Sequence, residues 1–463
     1  MRLLGAEPWA KKMKKLLKII LSIIGVLVLG LGILIISYWE SIQILRGTED
    51  LSDRPHKIPN IVKPGMTLRD KGEADWPCWR GADGEAKSTV TGIIKDWSNG
   101  LKQVWEVNYL CQGRASATWS SPVIQGDRLI VCGRDDGNDL VFCLNAIDGS
   151  LLWRAHYTAK ATRNHGMGMR ATPYIDENRV YTFGRNGDLV CWNLNDGTTL
   201  WHKNVQDEGG KEPKWGHSSS PLVSGDYVLV QGGGTARVIA YNKLNGEVIW
   251  KSGQGDAGYA PIVPIKLTDK LAYLAFHGKG LAAVMGDTGR ELWNITWETP
   301  YGVNATTPLV SSDQVFITSG YKTGAQLLKI SETDSKILWN TKAIAAHHSD
   351  GYILDGFIYG YSGLSLQNKG AFKCLELASG TEKWSTNEMG WGTCLYVDGH
   401  LLCLDIKGNL FLMKPDSEKF IKVTDLPKAL GDVKGPVWTL PVIANIRLYL
   451  RFKQRLVCYS LKD

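Results

Sequence analysis

Nine cysteines form no C-x-x-C and no C-x-x-C-H, so neither a zinc ribbon nor covalent haem has ligands to build on. None precedes Cys78, which leaves the N-terminal region without a lipid-attachment cysteine. Most cysteines fall in strand-like runs such as "LIVCG" and "LVCWNL", where they act as small buried apolar residues. Positive charge is equally scarce where nucleic acid would need it. The net charge is +7, but Arg2, Lys11, Lys12, Lys14, Lys15 and Lys18 against Glu7 place +5 in the first eighteen residues, and the rest of the chain carries only +2. A duplex-binding surface needs basic residues spread over the folded body, so nucleic acid is excluded as a partner.

Ile19 to Trp39, "IILSIIGVLVLGLGILIISYW", contains no charge at all. A helix of that length, at about 1.5 Å per residue, spans roughly 30 Å of hydrocarbon. Basic residues 1–18 in front predict a cytoplasmic tail, and Tyr38 and Trp39 suit the far interface. The expectation is an uncleaved single-pass anchor over 19–39 in the inner membrane, with the body in the periplasm or an equivalent extracytoplasmic space. A cleaved signal peptide fits less well, because its apolar core is shorter and "ISYWES" offers no small-x-small cleavage site.

Residues 40–75 mix charges with Pro55, Pro59 and Pro64 and read as a linker. From Trp76 onward alternating runs such as "DRLIVCG", "DLVFCL" and "RVYTFG" predict half-buried antiparallel strands. Glycine, 51 of 463 residues, fits a chain so rich in turns.

The runs repeat. "NAIDGSLLW", "NLNDGTTLW", "NKLNGEVIW", "MGDTGRELW", "SETDSKILW" and "ELASGTEKW" end at Trp153, Trp201, Trp250, Trp293, Trp339 and Trp384, spaced 48, 49, 43, 46 and 45 residues apart. Strand starts keep step at Pro122, Pro173, Pro221, Pro261, Pro308, Tyr352, Leu395 and Pro441. Units of about 40 to 50 residues without helical periodicity are propeller blades. The last unit stops after three strands, whereas "LKQVWEV" around Trp105 is an outer strand with none before it. Residues 102–107 therefore complete the final blade, and 76–463 form an all-β, eight-bladed propeller. The seven tryptophans, Trp105 included, are expected to dock between blades rather than to bind ligand. In "CLYVDGHLLC" an Asp398-Gly399 turn sets Cys394 opposite Cys403 as candidates for a disulfide.

The Ala-x-Asp-x-x-x-Gly-x-x-x-Trp form, met loosely by "AIDGSLLW", resembles the tryptophan-docking repeat of the PQQ-like (quinoprotein) β-propellers. "DWPCWRGADGEAKSTVTGIIKDW", "HGMGMRATP", "WGHSSSPL" and "HHSDGYILDGFIYGY" are similar to an envelope subgroup of that family, near the BamB-like propellers. For its enzymes the resemblance implies adjacent cysteines over the quinone, a Ca²⁺ held by Glu, Asn and Asp, and a catalytic Asp. No adjacent cysteines occur here, and no local motif carries the Glu, Asn and Asp set.

Segments joining one outer strand to the next inner strand open on one face of the channel, and here they are rich in recognition side chains. They carry Trp119, His165, Arg170, Trp215, His217, Tyr259, Asn304, His347, His348, Trp391 and Trp438, the expected rim of one funnel. Neither a metal nor a catalytic set is assigned. The expected function is a membrane-anchored, non-catalytic binding or scaffold propeller without a cofactor, with a protein or peptide partner at the funnel face, serving envelope protein assembly. The alternative is a PQQ-dependent alcohol or sugar dehydrogenase using PQQ with Ca²⁺, and a hydrolase or lyase using the His-rich rim is a third class.

Overall fold

Alternating runs such as Arg128–Arg134 and Asn138–Asn145 bury most of their residues and pair antiparallel across tight turns. The computed structural model describes residues 7–37, 58–62, 68–72, 74–160, 165–365 and 370–462. From residue 123 onward the strands form consecutive four-stranded antiparallel sheets. Blades 1 to 7 cover 123–158, 174–204, 222–252, 263–296, 309–341, 352–386 and 392–426. Blade 8 has three strands from 442–460, and its outer strand is Gln103–Val107, paired with Arg455–Ser460. The expected eight-bladed ring and its closing strand are both present.

Each seam between blades is built the same way. The indole N–H of Trp105, Trp153, Trp201, Trp250, Trp293, Trp339 or Trp384 donates to a backbone carbonyl in the following blade at 2.8 to 3.2 Å. Five of these indoles cover a turn glycine, at Gly149, Gly197, Gly246, Gly289 and Gly380, with φ between +71° and +76°. A β-carbon at Gly197 would lie 2.6 Å from the Trp153 ring, so the glycine serves its own turn and its neighbour's tryptophan together. A one-residue bulge precedes the docking position in the outer strand of all eight blades. Bulges of this kind twist and interrupt an edge that would otherwise template pairing with another chain.

Blade 7 has Thr424 where the others have tryptophan. There Trp97, 2% exposed, fills the core from the N-terminal side, its backbone N–H donating to Thr424 Oγ1 at 3.2 Å. Closure between blades 8 and 1 is reinforced by the fully buried Arg451. Its guanidinium donates to the carbonyls of Ser120 at 2.7 Å and Cys132 at 2.5 Å.

Before the ring, Trp76–Ser88 enters the channel. Trp76 exchanges backbone hydrogen bonds with Ile124 of blade 1, and Lys87–Ser88 pairs in parallel with Tyr396–Val397 of blade 7. The buried Arg80–Asp350 ion pair, at 3.1 Å, pins the segment between them.

The structure bears on three further expectations. Glu7–Ser37 is one helix, but among the described residues no helix is long and apolar enough to cross a membrane, so the expected span 19–39 is not borne out. The side chains of 31–37, and Tyr38 and Trp39, lie outside the described residues. Cys394 does sit opposite Cys403, yet both are buried free thiols. Directly opposed strand positions strain a disulfide, and here burial and the Cys403 thiol push the Cys394 thiol well above its ordinary range. The linker 40–75 lies largely outside the described residues, but its described end is strapped to blade 1. Val62 N–H donates to the Leu151 carbonyl at 2.8 Å, Arg69 N–H to Asp127 at 2.8 Å, and Arg128 to Asp70 at 2.9 Å.

Candidate functional site

Loops entering the inner strands cross one mouth of the channel, and their aromatic side chains meet. Starting at Trp215, ring contacts run to His165 (5.4 Å), Trp438 (5.7 Å), His348 (5.5 Å), His347 (4.8 Å), Tyr321 (5.1 Å) and Tyr301 (5.6 Å). Lys214 Nζ closes the circuit, 4.4 Å from the Tyr301 ring and 5.2 Å from Trp215. This girdle surrounds a cavity of about 200 Å³ whose floor includes Trp79.

Eight of the eleven expected rim residues line that cavity: Trp119, His165, Arg170, Trp215, Tyr259, His347, His348 and Trp438. Three do not. His217 is 1% exposed and packs 5.0 Å from the Phe183 ring. Asn304, fully buried, locks its loop by donating to the carbonyls of His277 and Trp297 while Thr299 and Ser319 donate to it. Trp391, also fully buried, backs His348 from behind at 4.8 Å. A strand-start position names the loop, but which way its side chain turns depends on packing. Trp79, Tyr321 and Ser365 line the cavity too, and these the repeat pattern does not mark, because they lie outside the strand-entry segments.

His165 holds its place at φ +54°, a left-handed backbone that costs a non-glycine residue on the order of 1 kcal/mol. Its carbonyl accepts the Trp119 indole N–H at 2.6 Å. Burial pushes the His165 imidazole down to about 4, helped by Arg170 and Arg185, and burial holds His347 at about 4 as well. His348 is driven well below its ordinary value by burial and by His347. The girdle imidazoles are therefore neutral near pH 7. Arg170 donates to the Trp215 carbonyl at 2.7 Å, and Arg185 to the same oxygen at 3.0 Å.

Ser365 Oγ lies 2.9 Å from His347 Nδ1 and 2.8 Å from His348 Nε2, which superficially matches a nucleophile beside a base. The energetics do not. A base held about three units below neutrality loses most of its proton-accepting drive, and no carboxylate lines the cavity to orient either ring. Among the described residues no three His, Cys, Asp or Glu side chains gather as a metal site. A quinone cofactor with its Ca²⁺ needs a cage of oxygen ligands, and a cavity of about 200 Å³ lacking any Asp or Glu does not fit it. Aromatic faces, neutral imidazoles and a guanidinium instead suit recognition of a polar or anionic group, or of a peptide.

The family model described as "Outer membrane protein assembly factor BamB" matches residues 158–386. Two curated relatives of that name are similar to the chain. One, from Alkalilimnicola ehrlichii, is 26% identical over 34% of this chain and 39% of its own length. The other, from Shewanella oneidensis, is 22% identical over 65% of this chain and 75% of its own. The chain thus spans well under half of the first relative and three quarters of the second. Among solved structures, a quinohemoprotein alcohol dehydrogenase from Comamonas testosteroni superposes with a TM-score of 0.62 at 12% identity, over 84% of this chain and 80% of that one. At that identity the likeness is one of fold.

Five histidines, 165, 217, 277, 347 and 348, have folded values depressed by burial. Unfolded histidine titrates near 6.5, so between about pH 6.5 and pH 4 the unfolded chain binds more protons and stability falls as pH falls. The stabilisation is fully present above that window. At pH 5, calorimetry in buffers of different ionisation enthalpy should find that unfolding takes up roughly four to five more protons than at pH 8 from these groups; equal uptake at both would show the imidazoles to be solvated.

Proposed function

Because the chain is a β-propeller of the PQQ-like family, we propose that it serves as a non-catalytic binding or scaffold protein in envelope protein assembly. The observation that carries this reading is the girdled cavity: eight recognition side chains converge on it and no carboxylate does. The names of the two relatives support the assembly setting. In this reading the funnel face holds a protein or peptide partner, and no PQQ or Ca²⁺ is taken up.

A photoreactive residue at Tyr301, 60% exposed at the mouth, should trap the partner in cells, while one at Lys383 on an outer strand should not. Equal trapping from both positions would refute a funnel-centred site. Titration of the purified chain with PQQ and Ca²⁺ should give no saturable binding and no dye-linked alcohol oxidation; turnover would move the assignment to the dehydrogenases.

Membrane attachment belongs to the same proposal and rests on sequence, on the uncharged stretch 19–39 behind a basic tail. The intact chain is expected to stay with the inner membrane through an alkaline carbonate wash, and a chain lacking 1–39 to appear in the periplasm. Release of the intact chain by the wash would rule out an anchor.

A further inference from the structure

Trp79 divides the channel. Above it is the girdled funnel, and below it a second cavity of about 560 Å³ opens at the other end, among the inner strands and the turns that follow them. What lines this lower space is backbone as much as side chain. Each inner strand ends in a two-residue turn, and its penultimate residue directs its N–H and C=O into the channel rather than toward the second strand. Around the ring those residues are Ile124, Ile175, Val223, Lys266, Val310, Ile353, Tyr396 and Ile443.

The chain's own N-terminal segment answers four of them. Trp76 exchanges hydrogen bonds of 2.8 and 2.9 Å with Ile124, and the Pro77 carbonyl accepts from Ile175 at 2.8 Å. The Ala86 carbonyl accepts from Tyr396 at 2.9 Å, and Ser88 Oγ donates to the Ile443 carbonyl at 3.5 Å. Two consecutive residues, Trp76 and Pro77, serve two consecutive blades, so one residue per blade is a spacing that an extended chain meets. The segment then turns away at Cys78 to Ala86, held by Arg80 on Asp350 and by the Trp79 indole on Thr307 at 3.1 Å. Of the four positions left over, Val223, Val310 and Ile353 line the lower cavity, and among the described residues nothing pairs with their channel side.

We infer that the lower cavity is a second binding site, which takes an extended polypeptide segment of a partner and pairs its backbone with Val223, Val310 and Ile353, continuing around the channel what Trp76–Ser88 begins. Main-chain pairing of this kind supplies affinity with little demand on side-chain identity. The apolar Leu222, Val310 and Ile353 at the wall favour small apolar side chains. On blade 4 it is Pro264, two residues before Lys266 and on the same side of the strand, that lines the cavity, and proline has no N–H to offer, so the pairing belongs to blades 3, 5 and 6. This site is independent of whatever the funnel binds.

The test uses the full chain and a capped tetrapeptide, acetyl-Val-Thr-Val-Ser-amide, at about 5 mM, several times a dissociation constant on the order of 1 mM for so small a contact. Amide hydrogen exchange should slow by about fivefold or more over 222–224, 309–311 and 352–354, and not at the funnel loops. The same peptide with N-methylated amides should protect nothing, and Val310→Pro should lose protection at blade 5 while the unliganded exchange of other blades stays as before. Absence of protection, protection by the N-methylated peptide, or protection at the funnel loops instead would each overturn the inference. Failure of the funnel cross-link at Tyr301 would leave these outcomes unchanged, so the two readings fail separately.

Discussion

An indole laid over its neighbour's turn is the contact on which the molecule depends. A blade presents two faces to its neighbours, and without a filler the wedge between adjacent sheets would leave voids at its wide outer end. Trp153, Trp201 and Trp250 close that wedge where the sheets diverge, and each ties its N–H to the far side. Because the acceptor is a backbone carbonyl, the bond survives any change of side chain in the turn. The steric half of the contact is less forgiving, since it needs the turn residue to have no β-carbon. Trp293 and Trp384 face turns without glycine and keep only the indole N–H bond to the backbone. Blade 7, lacking the tryptophan, borrows Trp97 from outside the repeat.

A ring held by its circumference leaves its centre open, and the chain occupies that centre twice over. Trp76–Ser88 covers part of the inner edges, and Trp79 forms both the floor of the funnel and the ceiling of the lower cavity. The Arg80–Asp350 pair is buried on both sides, and Thr307 ties Asp350 to the blade-5 inner strand through a 2.7 Å backbone bond. Buried ion pairs of this kind fix geometry more than they add stability. Here the geometry fixed is the position of a partition. The funnel's own chemistry follows from dryness. Imidazoles packed against tryptophans stay neutral, so the mouth offers hydrogen bonds and ring faces rather than a titrating base.

The repeat was fully legible because its cause is periodic. Trp105 to Trp384, the turn glycines and the unpaired strand at 102–107 each recur or fail to recur at a countable interval, and the ring follows from the count. The cavity was legible by loop but not by side chain. His217, Asn304 and Trp391 stand at the same strand-entry positions as Trp215, Tyr259 and Trp438, and only packing decides that they turn inward beneath the loops. Trp79, Arg80 and Trp97 occur once, outside any repeat, so spacing said nothing of their roles. For Cys394 and Cys403 the register was readable and the covalent chemistry was not.

The fastening of the circle sets an order on its making. Gln103–Val107 leaves the ribosome before any complete blade, yet its partner Arg455–Ser460 lies some 350 residues later in the chain. For the whole interval the earliest outer strand is an orphan exposing a bare hydrogen-bonding edge, and the three-stranded stub that accepts it forms only at the end. A nascent chain of this kind is an open arc with adhesive ends, able to zip onto a sister molecule as readily as onto itself.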